Sequence, residues 1–333
     1  MTISEERALG LAASAGRAAV GARSVVLRIA QGVLTLLVVS FLIFVSTQML
    51  PGDVAQVILG HSATPERLAQ LRAELGLDEP ILVQYVNWLL GVLRLDFGTS
   101  LSSGRPVSEL VGGRLVNSLI LAGVALVLMF PIALVVGVTA AHWRGRLFDK
   151  GFLTGSMVAN ATPEFVLGAV LVALLGTTVW PVLPPVSIIP PGESPLAYLP
   201  SLVLPVLTLV IAGGMYLARL VRASFIDAMS SEYVQMARLK GLPERSILYR
   251  HALPNALGAV IPAASIVAAL TIGGIVVVEY LFAFPGIGGL LLEAIGSRDL
   301  PVIQAVVLIV AASYFVLNFL ADALTDGPTS RKR

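Results

Sequence analysis

The sequence predicts an all-α membrane protein with six transmembrane helices. Of its 333 residues, 56% are hydrophobic and only 13% are charged, and the mean hydropathy is +0.89. A soluble protein could not bury so many apolar side chains, because its surface must still be covered by polar groups. Six segments reach the roughly 20 apolar residues that cross a bilayer: 26–49, 118–141, 152–179, 198–220, 256–278 and 302–323.

The first apolar segment is predicted to be a transmembrane helix that stays in the protein. It is too long for the apolar region of a signal peptide, it lacks a small-residue cleavage site, and further spans follow it. The basic residues indicate the orientation, because most of the 22 lysines and arginines fall at the two termini, between spans two and three, or between spans four and five. The positive-inside rule therefore places both termini and these loops in the cytoplasm.

These observations predict the organisation of the whole chain. In order, we expect a cytoplasmic N-terminal segment (1–25), the first transmembrane helix (26–49), an external helical region (50–117), a transmembrane core (118–323) with a cytoplasmic loop at 222–255, and a basic cytoplasmic tail (324–333).

Two short helices are predicted in the external region. Thr64 is suited to cap a helix that opens with Pro65 and Glu66, and Gly76 is suited to end it. A second helix is expected to begin near Pro80 and to end before Gly98. Its tyrosine and tryptophan suit the membrane interface, so we expect both helices to lie on the outer membrane face or on the first spans.

The cytoplasmic loop is predicted to form two short helices with a sharp bend between them. Ser230 or Ser231 can cap the first, which Glu232 favours electrostatically and which runs to Lys240. Gly241 suits a left-handed C-terminal residue.

The second short helix begins at Pro243, reaches about Arg250, and is ended by Pro254. On the first helix, four residues are predicted to share one small, partly apolar face that would fit a groove: Tyr233, Met236, Ala237 and Lys240.

Glu164 is the acidic residue placed nearest the middle of an apolar segment. An ionisable group at that depth is costly and generally faces a cavity or a partner, and the neighbouring Pro163 frees a backbone carbonyl that could line a path. Asn160 lies one helical turn earlier on the same face and is predicted to be a partner of Glu164. The three residues are candidates for a translocation path, and a structural hydrogen bond or an interface contact is the alternative interpretation of Glu164.

Several functional classes lack the residues that they need. The chain has no cysteine, its three histidines all lie outside the apolar segments, and neither a G-x-S-x-G turn nor a G-x-x-x-x-G-K-[ST] phosphate loop occurs. We therefore expect no catalytic residue, no metal, no cofactor and no ATP site in this chain. An ion-coupled secondary transporter is a weaker alternative, because only one acid lies at the predicted midplane.

A series of short motifs resembles one family of transporters. In chain order they are Leu50–Pro51–Gly52–Asp53, residues 74–80, 96–100 and 104–107, Pro163–Glu164–Phe165, residues 237–241, residues 250–255 and residues 284–288. Together they are similar to the dipeptide/oligopeptide permeases of ABC importers, of the first-permease type. Two departures stand out: Gln235 and Met236 replace the Glu and Ala of the general importer motif, and Asp326–Gly327–Pro328 stands near the usual Asp-Pro-Arg position.

This resemblance implies a non-catalytic permease with the type I ABC importer fold in a bacterial inner membrane. Such a chain forms half of a pore with a second homologous permease, two ATP-binding subunits and an extracytoplasmic substrate-binding protein, surrounded by membrane lipid and without nucleic acid. The expected cargo is a dipeptide or oligopeptide; a nickel complex, glutathione or haem is the alternative. The residues that would contact the ATPase by resemblance are Tyr233, Gln235, Met236, Ala237, Arg238, Lys240, Gly241, Leu253 and Pro254.

Overall fold

The computed structural model describes residues 3–49, 59, 63–74 and 78–326. Every regular element in these ranges is a helix, as the composition predicts. The chain divides into two compact units, Met1–Pro51 and Gly52–Arg333. The motif residues 50–53, the predicted stop at Gly76 and the last seven residues of the basic tail lie outside the described residues.

The first unit consists of one long helix, α1 (Ile3–Gln48). Its apolar part, Val26–Gln48, is long enough to cross a membrane, in agreement with the predicted span. The helix continues on its N-terminal side through most of the predicted cytoplasmic segment, so the boundary at residue 26 marks a change of composition only. Inside the apolar part, the hydroxyl groups of Ser40 and Thr47 donate to carbonyls three residues earlier, which satisfies these polar groups without water.

Both short helices predicted in residues 50–117 form where the sequence places them. Helix α2 (Pro65–Glu74) begins after Thr64, whose Oγ1 accepts a hydrogen bond from the Arg67 amide at 3.3 Å. Helix α3 (Ile81–Leu93) begins after Pro80. The aromatic rings of Tyr85 and Trp88 lie 6.0 Å apart, and no residue of α3 is fully buried. An apolar helix with this exposure is suited to lie at a membrane surface.

Four long helices form the core of the second unit. They are α4 (Val107–His142), α7 (Leu199–Met229), α10 (Leu253–Leu281) and α12 (Leu300–Asp326). Helix α7 packs against α4 and α10 over much of its length, and small residues permit the close approach. At Gly137, an added Cβ would lie 2.6 Å from the carbonyl oxygen of Ala218. Helix α4 begins at Val107, earlier than the predicted end of the external region.

The third predicted span is broken. Helices α5 (Leu147–Ala161) and α6 (Glu164–Leu171) meet at an angle of 114°, and α6 continues as a π-helix to Thr177. The break lies at Thr162 and Pro163, where the backbone is extended because proline disfavours helical conformation in the residue before it. The prediction of one continuous helix over 152–179 is therefore wrong. Five described helices are long and apolar enough to cross a membrane, and the number rises to six if the bent pair forms one span.

Two buried carboxylates connect ends of the core helices to neighbouring segments. Glu279 accepts a hydrogen bond of 2.7 Å from the Gly288 amide in the first turn of α11 (Ile287–Ser297). Asp299 lies directly before α12 and accepts hydrogen bonds from the loop that contains Ser100 and Ser102, with distances from 2.5 to 3.2 Å. Charge-assisted hydrogen bonds of this kind stabilise a buried carboxylate.

Candidate coupling surface

The loop after α7 contains a short helix that ends in a defined turn. Helix α8 (Glu232–Leu239) follows its N-cap residue Ser231, but the Ser231 hydroxyl donates to the Ala228 carbonyl at 2.5 Å instead of capping α8. At the other end, the Gly241 amide donates to the Arg238 carbonyl at 2.9 Å and the Leu242 amide to the Ala237 carbonyl at 3.2 Å. This pair of bonds is a Schellman motif, and Gly241 has the left-handed φ of +73° that it needs. The predicted helix end at Gly241 is confirmed.

The second part of the loop differs from the prediction. A short helix, α9 (Glu244–Ser246), begins after Pro243 and continues as a π-helix over Ile247–Ala252. This leads directly into α10, so Leu253 and Pro254 lie in the first turn of α10. Proline is accepted in a first turn because its missing amide would have no helical partner there. The expectation that Pro254 ends a helix and turns the chain is therefore wrong.

One face of α8 is packed against its own chain. Val234 and Ala237 are buried in a cluster with Ala141 of α4, Phe225 of α7 and Ile247 of the π-helix. Burial of apolar surface stabilises a fold by about 25 cal/mol per Å², so these contacts hold α8 against three other segments of the chain. The buried face formed by Val234 and Ala237 is here called the seat of α8. Ala237 is thus separated from the exposed residues with which the sequence grouped it.

The opposite face of α8 is exposed and mixed in character. The exposed fractions are 41% for Tyr233, 57% for Met236 and 82% for Leu239. Gln235, Arg238 and Lys240 are also exposed. Leu239 was not among the predicted site residues, although its position three residues after Met236 places it on a neighbouring part of the same helix surface. The structure therefore brings together a small patch of apolar and basic side chains, here called the α8 surface: Tyr233, Gln235, Met236, Arg238, Leu239 and Lys240.

An ion pair spans the bend that follows α8. Arg238 Nε lies 2.9 Å from Glu244 Oε1, and both side chains are largely exposed. An exposed pair stabilises a fold by at most about 1 kcal/mol. Its effect is therefore mainly geometric, because it connects α8 to α9 on both sides of the Gly241 turn.

The three candidate path residues do not form one helical face. Glu164 is the first residue of α6, after the break at Pro163, whereas Asn160 is an exposed residue of α5. The predicted pairing of Asn160 with Glu164 is not present among the described residues. The half-buried Glu164 carboxylate instead lies against Gly274 of α10, and no hydrogen bond or ion pair from a described residue reaches it.

Comparison with known proteins decides the family. The family described as "Binding-protein-dependent transport system inner membrane component" matches residues 133–331, which is more than half of the chain. The N-terminal model of the same kind of transport component matches residues 22–122. The chain belongs to this family. It is therefore a multi-pass permease subunit of an ABC importer.

Individual relatives agree with this family over nearly the full chain. A protein of Brucella abortus (strain 2308) named as a peptide transport system permease is 38% identical over 298 residues, which cover 89% of this chain and 94% of the relative. The glutathione transport system permease protein GsiC of Salmonella choleraesuis (strain SC-B67) is 36% identical over 291 residues, with coverage of 87% and 92%. Permeases of this family are non-catalytic, and they work with separate ATP-binding subunits and a substrate-binding protein.

Proposed function

We propose that this permease imports peptides, forms half of the pore with a second homologous permease, and receives the force of ATP hydrolysis through α8. The two ATP-binding subunits lie on the cytoplasmic side, and the substrate-binding protein delivers its cargo from outside. The observation that carries the coupling role is the division of α8 into two faces. Val234 and Ala237 seat it on the core, while Tyr233, Met236 and Leu239 remain uncovered.

The division of faces suits a helix that binds a soluble partner. An exposed Met and Leu beside Arg238 and Lys240 offer apolar contact area with a basic rim, which is the composition of a helix that enters a groove. The seated face prevents α8 from moving independently, so a displacement of the partner reaches α7 and α10. Ala237 belongs to this function through the seat of α8 and not through contact with the ATPase.

The charge distribution supports a cytoplasmic location for α8. Arg238 and Lys240 lie in this loop, Arg144 and Arg146 lie in the loop between α4 and α5, and Lys150 lies in the first turn of α5. Positive charge is concentrated in cytoplasmic loops of membrane proteins. On this basis both termini are also cytoplasmic, and α2, α3 and α11 face the outside.

Site-specific crosslinking tests the coupling surface. The chain has no native cysteine, so single cysteines at Met236 and at Leu239 can be introduced without background. Both are expected to crosslink to an ATP-binding subunit. The matched control is a cysteine at Leu147, which is 89% exposed and is the first residue of α5, directly after the neighbouring loop. A crosslink from position 147 with none from positions 236 and 239 would transfer the coupling role to that loop.

Peptide is the proposed cargo because the peptide transport relative has the higher identity of the two compared above. Glutathione is the second candidate, because a glutathione transport permease is 36% identical over most of both chains. Uptake of a radiolabelled dipeptide into proteoliposomes that contain the complete transporter separates the two. We expect excess unlabelled dipeptide to compete and glutathione to have little effect. The reverse order of competition would replace peptide with glutathione.

A further inference from the structure

Asp149 and Arg222 form a bidentate ion pair inside the second unit. Arg222 Nε lies 2.5 Å from Asp149 Oδ1, and Arg222 Nη2 lies 2.8 Å from Asp149 Oδ2. The exposed fractions of the two side chains are 16% for Arg222 and 3% for Asp149. Asp149 Oδ2 also accepts the Gly145 amide at 2.8 Å, so this carboxylate orders the turn before α5 as well. The pair connects the first turn of α5 to the last part of α7.

A buried pair with this geometry is a specific contact, not a chance surface contact. Removing two charges from water has a large desolvation cost, and such pairs contribute little net stability compared with apolar side chains of similar volume. The planar guanidinium instead determines direction and distance, because its two N–H groups must meet both carboxylate oxygens. The pair is therefore better suited to hold two helices in register than to stabilise the fold.

Arg222 is connected to α8 by packing within the end of α7. Phe225, three residues later on α7, is buried in the cluster that seats α8 through Val234 and Ala237. The end of α7 and the seated face of α8 thus share one packed core. Closely packed interiors transmit small displacements, so a force on α8 also acts on the part of α7 that carries Arg222.

Asp149 belongs to α5, the first helix of the broken span. Helix α5 runs from Leu147 to Ala161 and ends at the bend that places Glu164 against Gly274. Phe152 adds an apolar contact with the cluster that contains Leu217 and Val221 of α7. In the part of the chain that the structure describes, the Asp149–Arg222 pair is the hydrogen-bonded link between a side chain of α5 and another helix.

We propose that the Asp149–Arg222 pair is a positioning contact that makes α5 move with α7 when the ATP-binding subunit displaces α8. Glu164, at the start of α6, follows the end of α5. This role rests on the proposed function of α8 and extends it from the coupling surface to the candidate path. The two side chains contact each other inside this chain, and the role assigned to them is exerted through the position of α5.

The ratio of cargo transported to ATP hydrolysed tests this role in the complete transporter. The informative variant replaces both partners by apolar residues, Asp149→Leu with Arg222→Met, because such a replacement leaves no unpaired buried charge. We expect normal amounts of assembled complex, an unchanged crosslink from a cysteine at position 236, and a transport ratio that falls at least several-fold while ATP hydrolysis continues. A contact that only stabilises the fold would change the amount of complex and leave this ratio unchanged.

A second variant covers the case in which the double variant does not assemble. Arg222→Lys keeps the charge but cannot make the two parallel hydrogen bonds, and it is expected to lower the transport ratio less than the double variant would. The matched control is Arg114→Met with Glu293→Leu, which removes an ion pair of 3.1 Å between α4 and α11 at the other end of the core. The control is expected to keep the wild-type ratio.

Three outcomes would overturn the proposal. They are a wild-type ratio in the assembled double variant, a wild-type ratio in Arg222→Lys, and loss of the crosslink from position 236 in either variant, since that loss would indicate defective docking. A failure of the proposed function itself is distinguishable, because position 236 would then not crosslink to the ATPase in the otherwise wild-type chain.

Discussion

The carboxylate of Glu164 lies directly against the backbone of Gly274, so that a side chain at position 274 would occupy the place of the carboxylate oxygens. Glu164 belongs to α6 and Gly274 to α10, 110 positions later in the sequence. A half-buried acid among apolar helices is costly. The Glu164 carboxylate fits here because glycine at position 274 has no side chain. This contact joins the broken span to the helix that begins at the coupling loop.

Gly274→Ala tests whether the position of the Glu164 carboxylate matters for transport. The added methyl group must displace the flexible carboxylate, so we expect the rate of cargo uptake to fall several-fold while the complex still assembles. Gly273→Ala is the matched control, because nothing lies within 4 Å of its Cβ position. The control exchange is expected to preserve uptake and to stabilise the helix by up to about 1 kcal/mol. Equal uptake by the two variants would indicate that Glu164 has only a structural role.

Gly241→Val is expected to uncouple ATP hydrolysis from uptake. A β-branched residue opposes the left-handed φ of +73° at a cost of about 1–2 kcal/mol, so the Schellman turn would open and α8 would lose its direction. Gly241→Asn is the control, because asparagine accepts this conformation more readily than other side chains. The measurement is the rate of ATP hydrolysis with and without cargo. Retention of full cargo-stimulated hydrolysis by the valine variant would contradict the prediction.

Ala237→Asp is expected to destabilise the permease itself. The carboxylate would enter the apolar cluster formed by Phe225, Ile247 and neighbouring residues without a partner, and substitutions of this kind cost about 3 kcal/mol or more. Met236→Asp, one residue earlier on the exposed face, is expected to leave the thermal midpoint of the detergent-purified permease, measured without the ATP-binding subunits, unchanged. Equal thermal midpoints for the two variants would show that Ala237 is not part of the seat of α8.

Asp299 is expected to make the stability of the loop that contains Ser100 and Ser102 depend on pH. Burial raises the pKa of its carboxyl group, but hydrogen bonds from Ser100, Leu101 and Ser102 outweigh that effect, and the net pKa is held below the ordinary value of 3.8. Because the folded-state pKa is the lower one, the stabilisation is fully present above the unfolded-state pKa. It is lost as the pH falls through the folded-state pKa.

Asp299→Asn provides the measurement for this pH dependence. The amide cannot accept all the hydrogen bonds of the carboxylate, so the variant is expected to be about 2 kcal/mol less stable at neutral pH. The difference in thermal midpoint between wild type and variant should stay constant from pH 8 to about pH 5 and narrow below about pH 4. A constant difference down to about pH 3 would show that another group carries the dependence.

Local patterns account for the parts of this protein that could be predicted from the sequence. Runs of apolar residues predict the spans because the bilayer has a set thickness, and the glycine after Lys240 predicts the end of α8 because few other residues accept a left-handed turn. Thr64 and Pro80 likewise mark the starts of α2 and α3 through local hydrogen bonds and backbone restriction. The motif order was also sufficient to recognise the family.

Contacts between distant residues could not be predicted in the same way. The sequence placed Ala237 with Met236 and Tyr233, whereas packing against Phe225 and Ile247 buries it. Helical spacing does not show which face of α8 packs against the rest of the chain. Similarly, the pairing of Asn160 with Glu164 required one continuous helix, and the bend at Pro163 interrupts that helix.

The sequence by itself therefore determined the membrane class, the family, the approximate spans and the turn at Gly241, since each depends on neighbouring residues or on motif order. Only the tertiary structure decided the seat of α8, the contact of Glu164 with Gly274 and the pairing of Asp149 with Arg222. The last pair joins residues 73 positions apart. Such contacts arise from the packing of whole helices. The periodicity of a single sequence indicates which residues share a face of one helix, but not which helices are in contact.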